Sequence, residues 1–267
     1  MYIVYSEKFR TVLVPIGKSA STSLMAWIYQ IEDAEFNAHL GPQGERNLVL
    51  SEYEFKQRFG DYYIFTCVRN PFSRLVSCFL DKFVFDLFAN GVRKNRENIS
   101  VEAFEPSHNN FEDIETFAFE KMGGNYDAGI TFEMFLQAIE SGYVEGAEVP
   151  RVDAHWASQH AIGQFDNIAY NKVCRFESLS ADVKSIEHDL QIPIDQHFQI
   201  FRNVQRKPEM NDDLRYYGNI SAAELSKISS CRSTPVKNFF TAETLELVME
   251  KFESDVNYFG YNHLGHL

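Results

Sequence analysis

Between residues 14 and 24 the chain reads "VPIGKSASTSL", a lysine followed by a run of very small residues: Ser19, Ala20, Ser21, Thr22 and Ser23. The chemistry of that pattern is anion binding. A loop without bulk lets backbone N–H groups close on a phosphate or sulfate group, and Lys18 brings a full positive charge. It is not an ATP-binding Walker loop, because that motif needs a glycine five positions before Gly17 and Val12 stands there. A second constellation is "RNPFSRLVS", residues 69 to 77. Arg69 offers a charged fork, and Ser77, two helical turns further on, offers a hydroxyl, so both can converge on one phosphate. Arg74, between them, reads as a partner for a nearby carboxylate.

A third candidate is His155, directly before Trp156. An imidazole is one of the usual groups for taking a proton from a hydroxyl, although a histidine in this setting is also often a packed, hydrogen-bonded side chain. His39, Glu177 and the acids of residues 84–150 compete for the same role, and Glu177 reads more simply as a structural tie at a strand–helix junction. His155 and His160 stand five apart, which does not place them on one helix face as a metal-binding pair, and no metal is expected.

The elements that must position these residues alternate. "TVLVPI" (11–16) reads as a short buried strand. The small-residue loop follows, then a helix beginning near Ser21 to Ser23 with Leu24, Trp27, Ile28 and Ile31 at helical spacing. The helix dipole and first N–H groups then face the loop. A second unit follows: "YYIFTCV" (62–68) as a central strand, Asn70 as N-cap, Pro71 in the first helical position, and a stripe of Leu75, Cys78, Phe79 and Phe83. A third is "NKVCRF" (171–176), then a helix carrying Leu179, Val183, Ile186 and Leu190. A long closing helix is expected from about Thr241, with Leu245, Val248, Met249, Phe252 and Val256 on one face. The predicted fold class is α/β, a mostly parallel sheet flanked by helices. Residues 84–150, acidic and Phe-rich with one clear helix at 131–142, read as an elaborated connection that either shapes an acceptor pocket or is a plain surface excursion.

Composition narrows the partners. A chain of 267 residues suits one main domain, here taken as 1–267. Its 45% hydrophobic and 24% charged content is ordinary for a soluble protein, while 24 Phe and 13 Tyr make it unusually aromatic. A formal net charge of -13 disfavours nucleic acid as a partner, so any anion must be met by a local cluster. Cys67, Cys78, Cys174 and Cys231 form no C-x-x-C pair, so reduced thiols are expected rather than zinc or disulfides. No apolar run reaches the roughly 20 residues that span a bilayer, and no cleavable leader is evident. A cytoplasmic protein, bacterial or an excised catalytic domain, is the expectation.

"PIGKSASTS", followed about fifty residues later by "FTCVRNPFSRLVSCFLDKF", resembles the two donor-binding motifs of the sulfotransferases that use 3′-phosphoadenosine 5′-phosphosulfate (PAPS), and most closely their carbohydrate branch. "HW" (155–156), "RFESL" (175–179) and "FESDVNYFGY" (252–261) extend the resemblance along most of the chain in family order. One departure is that Gly17 stands where the family usually has proline before the lysine. The resemblance implies a P-loop-like fold with PAPS as donor co-substrate lying across the ends of the parallel strands. It implies that Lys18 and Ser19, Ala20, Ser21, Thr22 and Ser23 bind the 5′-phosphosulfate, and that Arg69 and Ser77 bind the 3′-phosphate. Lys18 would also act in catalysis, with His155 as the candidate base. The implied acceptor is a hydroxyl on a sugar, glycolipid or other glycoconjugate. Two other readings stay open on this fold: a P-loop nucleotide kinase, and a catalytically silent glycan- or nucleotide-binding protein.

Overall fold

The computed structural model describes residues 1–37, 44–89, 123, 125, 127–140, 154–199 and 215–261, and of residues 86–89 the backbone alone. His39 and most of the connection at 84–150 lie outside the described residues. In chain order the strands are β1 (Tyr2–Ser6), β2 (Thr11–Val14), β3 (Asn47–Val49), β4 (Tyr63–Val68) and β5 (Lys172–Arg175). The helices named below are α1 (Ser21–Ile31), α2 (Glu52–Phe59), α3 (Pro71–Phe79), α4 (Phe132–Glu140), α5 (Gln159–Ile162), α6 (Leu179–Asp189), α7 (Ala222–Leu225), α8 (Ala242–Lys251) and α9 (Glu253–Phe259). The chain divides into two compact units, one of Met1–Asn70 and Ala157–Val204, the other of Pro71–Trp156 and Gln205–Leu267.

The first unit is α/β. Its five-stranded sheet runs β3-β1-β2-β4-β5. β2, β4 and β5 form the expected parallel core, with Val14 opposite Thr66 and Val68 opposite Arg175. β1 and β3 add an antiparallel margin. The four-residue turn from Glu7 to Arg10 leaves no room for a crossover, so β1 and β2 must run antiparallel. β2 ends at Val14, sooner than its apolar run suggests, because Pro15 has no N–H to continue the ladder.

Alternation along each strand decides which helix covers which face. Val4, Leu13, Phe65, Cys67 and Cys174 pack against Leu24, Trp27, Ile28 and Ile31 of α1 and Leu179, Val183 and Ile186 of α6. Ile3, Tyr5, Val12, Val14 and Ile64 pack on the opposite face against Phe55 and Phe59 of α2. α2 opens with a reciprocal cap in which Ser51 and Glu54 each satisfy the other's backbone N–H.

The second unit is helical among the described residues. α3 starts at Pro71, as expected, and its turns widen to π-type winding over Leu80–Ala89. The Phe-rich composition finds its use here: Phe79, Phe83, Phe132, Phe135, Phe239 and Phe240 interlock in one core with Trp156. The predicted long closing helix is two. Phe252 breaks it with φ -112° and ψ 29° between α8 and α9, while its own ring stays buried in the core. The apolar spacing runs through the break unchanged, so periodicity alone does not reveal it.

Candidate functional site

Parallel strands end at a common edge, and the loops leaving that edge are where an α/β sheet binds ligands. In the first unit the chain leaves β2 through residues 15–20 into α1, leaves β4 at Arg69, and leaves β5 through the short turn Phe176–Ser178 into α6. Thr66 ties two of these exits together, its hydroxyl donating 2.7 Å to the carbonyl of Val14.

The loop after β2 is wound tightly. Lys18 and Ala20 both adopt left-handed backbone, φ 66° and 60°, on either side of Ser19. Such alternation of hand builds anion-binding concavities of N–H groups. Neither residue is glycine, so each position costs about 1–2 kcal/mol that the surroundings must offset. Gly17 is not in the left-handed region, and the strained turn falls on the lysine itself. α1 then begins with Ala20 as its cap, a residue with no side-chain oxygen to accept from the first turn. The N-terminal N–H groups and positive dipole end of an 11-residue helix therefore point out of its first turn with no capping side chain. Lys18, Ala20, Ser21 and Thr22 are half-buried, and Ser23 is buried.

Ser19 is fully buried, and its hydrogen bonds stay within the protein: its N–H donates to Ile16 O at 3.2 Å and its hydroxyl to Gln159 Oε1 at 3.1 Å. The same Gln159 holds the end of β4. Its Oε1 accepts the Arg69 N–H at 2.8 Å and its Nε2 donates to the Arg69 carbonyl at 2.7 Å. Gln159 is fully buried and has no counterpart in the sequence-based candidates. The Arg69 side chain turns back toward the loop, Nη1 donating to the Lys18 carbonyl at 3.2 Å, while its guanidinium lies 4.2 Å from the Phe176 ring centre. Glu177 accepts from the Asn70 N–H at 2.8 Å, which gives it the structural tie expected of it. Thus Lys18, the small-residue loop, the α1 N-terminus and Arg69 meet within one unit.

Three candidates belong to the second unit. Ser77 is half-buried on α3. Arg74, on the same helix, is fully buried and donates 2.9 Å to the carbonyl of Ala154, which pins the turn carrying His155. His155 is half-buried, and its neighbour Trp156 is sunk among Phe83 and Phe135. His160, in the first unit, faces Asp166 at 3.6 Å and stacks on Phe165.

The thiols are not placed for nucleophilic work. All four cysteines are buried. Cys67 and Cys174 are register partners on β4 and β5. Burial, with Cys174, Glu177 and Asp182 adding to it, lifts the Cys67 thiol well above its ordinary value. Burial and Asp182 push Cys174 up to about 12. Among the described residues no group of three His, Cys, Asp or Glu side chains is placed to hold a metal ion, and no helix is long and apolar enough to cross a membrane.

A sulfotransferase family sequence model matches residues 1–262. Neither a curated protein nor a solved structure matches the chain. The matched span takes in the loop of Lys18, the β4 exit at Arg69, and the turns of His155 and Glu177 in a single run, and on that ground the chain belongs to the sulfotransferase family.

Proposed function

We propose that the protein transfers a sulfuryl group from PAPS to a hydroxyl of a carbohydrate or glycoconjugate. The observation that carries the reading is the meeting of the Lys18 loop with Arg69, whose guanidinium lies against the Lys18 carbonyl at the end of the parallel strands. An uncapped helix N-terminus, a lysine and a buried arginine in one place suit a ligand with two anionic groups far better than they suit a neutral one.

In this reading the loop of Ser19 to Ser23 takes the 5′-phosphosulfate. Ser19 shapes it through its bonds to Ile16 and Gln159, and the α1 N-terminus supplies N–H donors. Arg69 and Ser77 are assigned to the 3′-phosphate. The transfer breaks the bond between sulfur and the bridging phosphate oxygen and forms one between sulfur and the acceptor oxygen. Lys18 stabilises the negative charge that grows on the departing phosphate oxygen, and His155 receives the acceptor's proton. As in loose phosphoryl transfer, positioning and charge stabilisation supply most of the acceleration.

Thermal unfolding with added nucleotides tests the donor. Without added metal, 3′,5′-diphosphoadenosine should raise the midpoint, by an amount that follows the logarithm of its concentration over Kd. Stabilisation by ATP with Mg²⁺ and none by the diphosphate would point to a nucleotide kinase. Diphosphate binding without sulfate transfer to any member of a sugar and glycolipid acceptor panel would point to a silent binding protein.

A further inference from the structure

We infer that Gln159 is the positioning residue that sets the Lys18 loop against Arg69, an inference that rests on the donor-site reading above. β4 pairs with β2 as far as Thr66 and with β5 as far as Val68, so at Arg69 the strand has outrun both neighbours. The Gln159 amide takes the place of a missing strand there, accepting from the Arg69 N–H and donating to the Arg69 carbonyl, at 2.8 Å and 2.7 Å. Those two backbone partners have fixed roles, so the amide's orientation is determined, with oxygen toward the N–H and nitrogen toward the carbonyl. The same oxygen then accepts the Ser19 hydroxyl, and its proton is committed to the protein.

One side chain therefore holds the strand that presents Arg69 and the loop that presents Lys18. Its own seat is firm. Ser158 caps the single turn of α5, Tyr170 donates 2.6 Å to the Gly163 carbonyl, and Ile168 is packed into the sheet's α2-side core. The requirement is chemical and specific: the group must donate and accept on adjacent atoms. A carboxylate accepts only, and set against the Arg69 carbonyl it is repelled. A protonated carboxylic acid regains the amide's pattern.

Three variants test this. In Gln159→Leu the Arg69 amide should exchange its hydrogen at least about 10-fold faster than in the wild type, with the amides of Phe65 and Cys67 unchanged, as loss of one buried hydrogen bond implies. This readout needs no ligand, so it stands even if the wild type fails to bind 3′,5′-diphosphoadenosine, an outcome that would remove the donor reading alone. Where the wild type binds, Gln159→Leu should weaken diphosphate affinity about 10-fold or more. Gln159→Glu should bind weakly at pH 8 and recover relative to the wild type as pH falls to about 5.5, because burial raises a carboxyl's pKa and protonation restores the donor. A purely structural glutamine gives no such recovery. Unchanged Arg69 exchange, affinity within about twofold of the wild type in folded Gln159→Leu, or a flat Gln159→Glu to wild-type ratio across that pH range overturns the inference. Should Gln159→Leu not fold, Ser19→Ala decides. It removes only the tie to the loop and should weaken diphosphate binding about 3- to 10-fold, and unchanged affinity again overturns the inference.

Discussion

Replacing Arg69 by alanine separates two jobs that the structure gives to one side chain. The residue is 4% exposed, its guanidinium lies 4.2 Å from the Phe176 ring centre, and Nη1 reaches the Lys18 carbonyl at 3.2 Å. In the free protein, the substitution removes one rather long charged hydrogen bond and a partly desolvated cation–π contact, together about 1.5–3 kcal/mol of stability. In the complex, it also removes whatever the guanidinium gives to the 3′-phosphate, about 1.5–3 kcal/mol per charged hydrogen bond, or a factor of about 10 to 150 in Kd. The assay is calorimetric titration of both proteins with 3′,5′-diphosphoadenosine and with adenosine 5′-phosphate, which lacks the 3′ group. If Arg69 reads the 3′-phosphate, the diphosphate should lose that factor and the monophosphate almost nothing. Equal losses for the two ligands would mean that Arg69 acts only by holding the loop at Lys18, and no loss for either would remove it from the site.

Two further perturbations address the base and the β5–α6 junction. His155→Gln keeps bulk and hydrogen-bonding capacity while removing a titrating imidazole, so single-turnover transfer should slow by roughly 10²–10⁴-fold with diphosphate affinity unchanged, and near-normal turnover would make His155 structural. Burial alone would raise the Asp182 carboxyl, but the Arg175 N–H, the Lys172 ammonium and the Ser178 hydroxyl, at 2.9, 2.8 and 2.8 Å, outweigh it and hold the group below the ordinary aspartate value. A lowered folded pKa gives stability that is fully present above the unfolded value, about 3.9, and lost as pH falls through the folded one. The denaturant stability gap between the wild type and Asp182→Asn should therefore stay constant from about pH 8 to pH 5 and close below about pH 4. A gap that persists at pH 2 would contradict the assignment.

The parallel core was legible because its signals are local. The runs "TVLV", "YIFTCV" and "KVCR" are short, β-branched or aromatic, and each is followed within a few residues by a helix start, so three strand–helix units stand out. What escaped the reading also has local signals, though weaker ones. "YIVYS" alternates faces and sits one short turn before β2, which dictates an antiparallel hairpin, and Ser51-x-x-Glu54 is a capping signature ahead of α2. The break at Phe252 is different. The apolar stripe continues across it, and the backbone hydrogen bonds on either side persist, with Phe252 N–H on Val248 O and Val256 N–H on Phe252 O. Nothing in the residue types marks it, because it is set by where the core accepts the Phe252 ring.

The site divides along the same line. Lys18 and Arg69 can be read from sequence because the features that single them out, a run of small residues and a strand that meets a helix at once, lie within a few positions of each. Gln159 cannot, since its partners are 140 and 90 residues away and come within reach only when β4 takes its place between β2 and β5. Its need arises from topology rather than composition. β2 must turn away at Pro15 to begin the loop, β5 must turn at Phe176 to begin α6, and β4 runs one residue further than either, so the Arg69 backbone is left buried with no strand beside it. A buried N–H and carbonyl without partners would each cost about 1–3 kcal/mol, and the only side chains able to satisfy both at once are amides. The position where the sheet frays is also the position where Arg69 must be aimed. A group that repairs the first defect therefore controls the second, which is why the amide's loss should be felt in ligand affinity before it is felt in the fold.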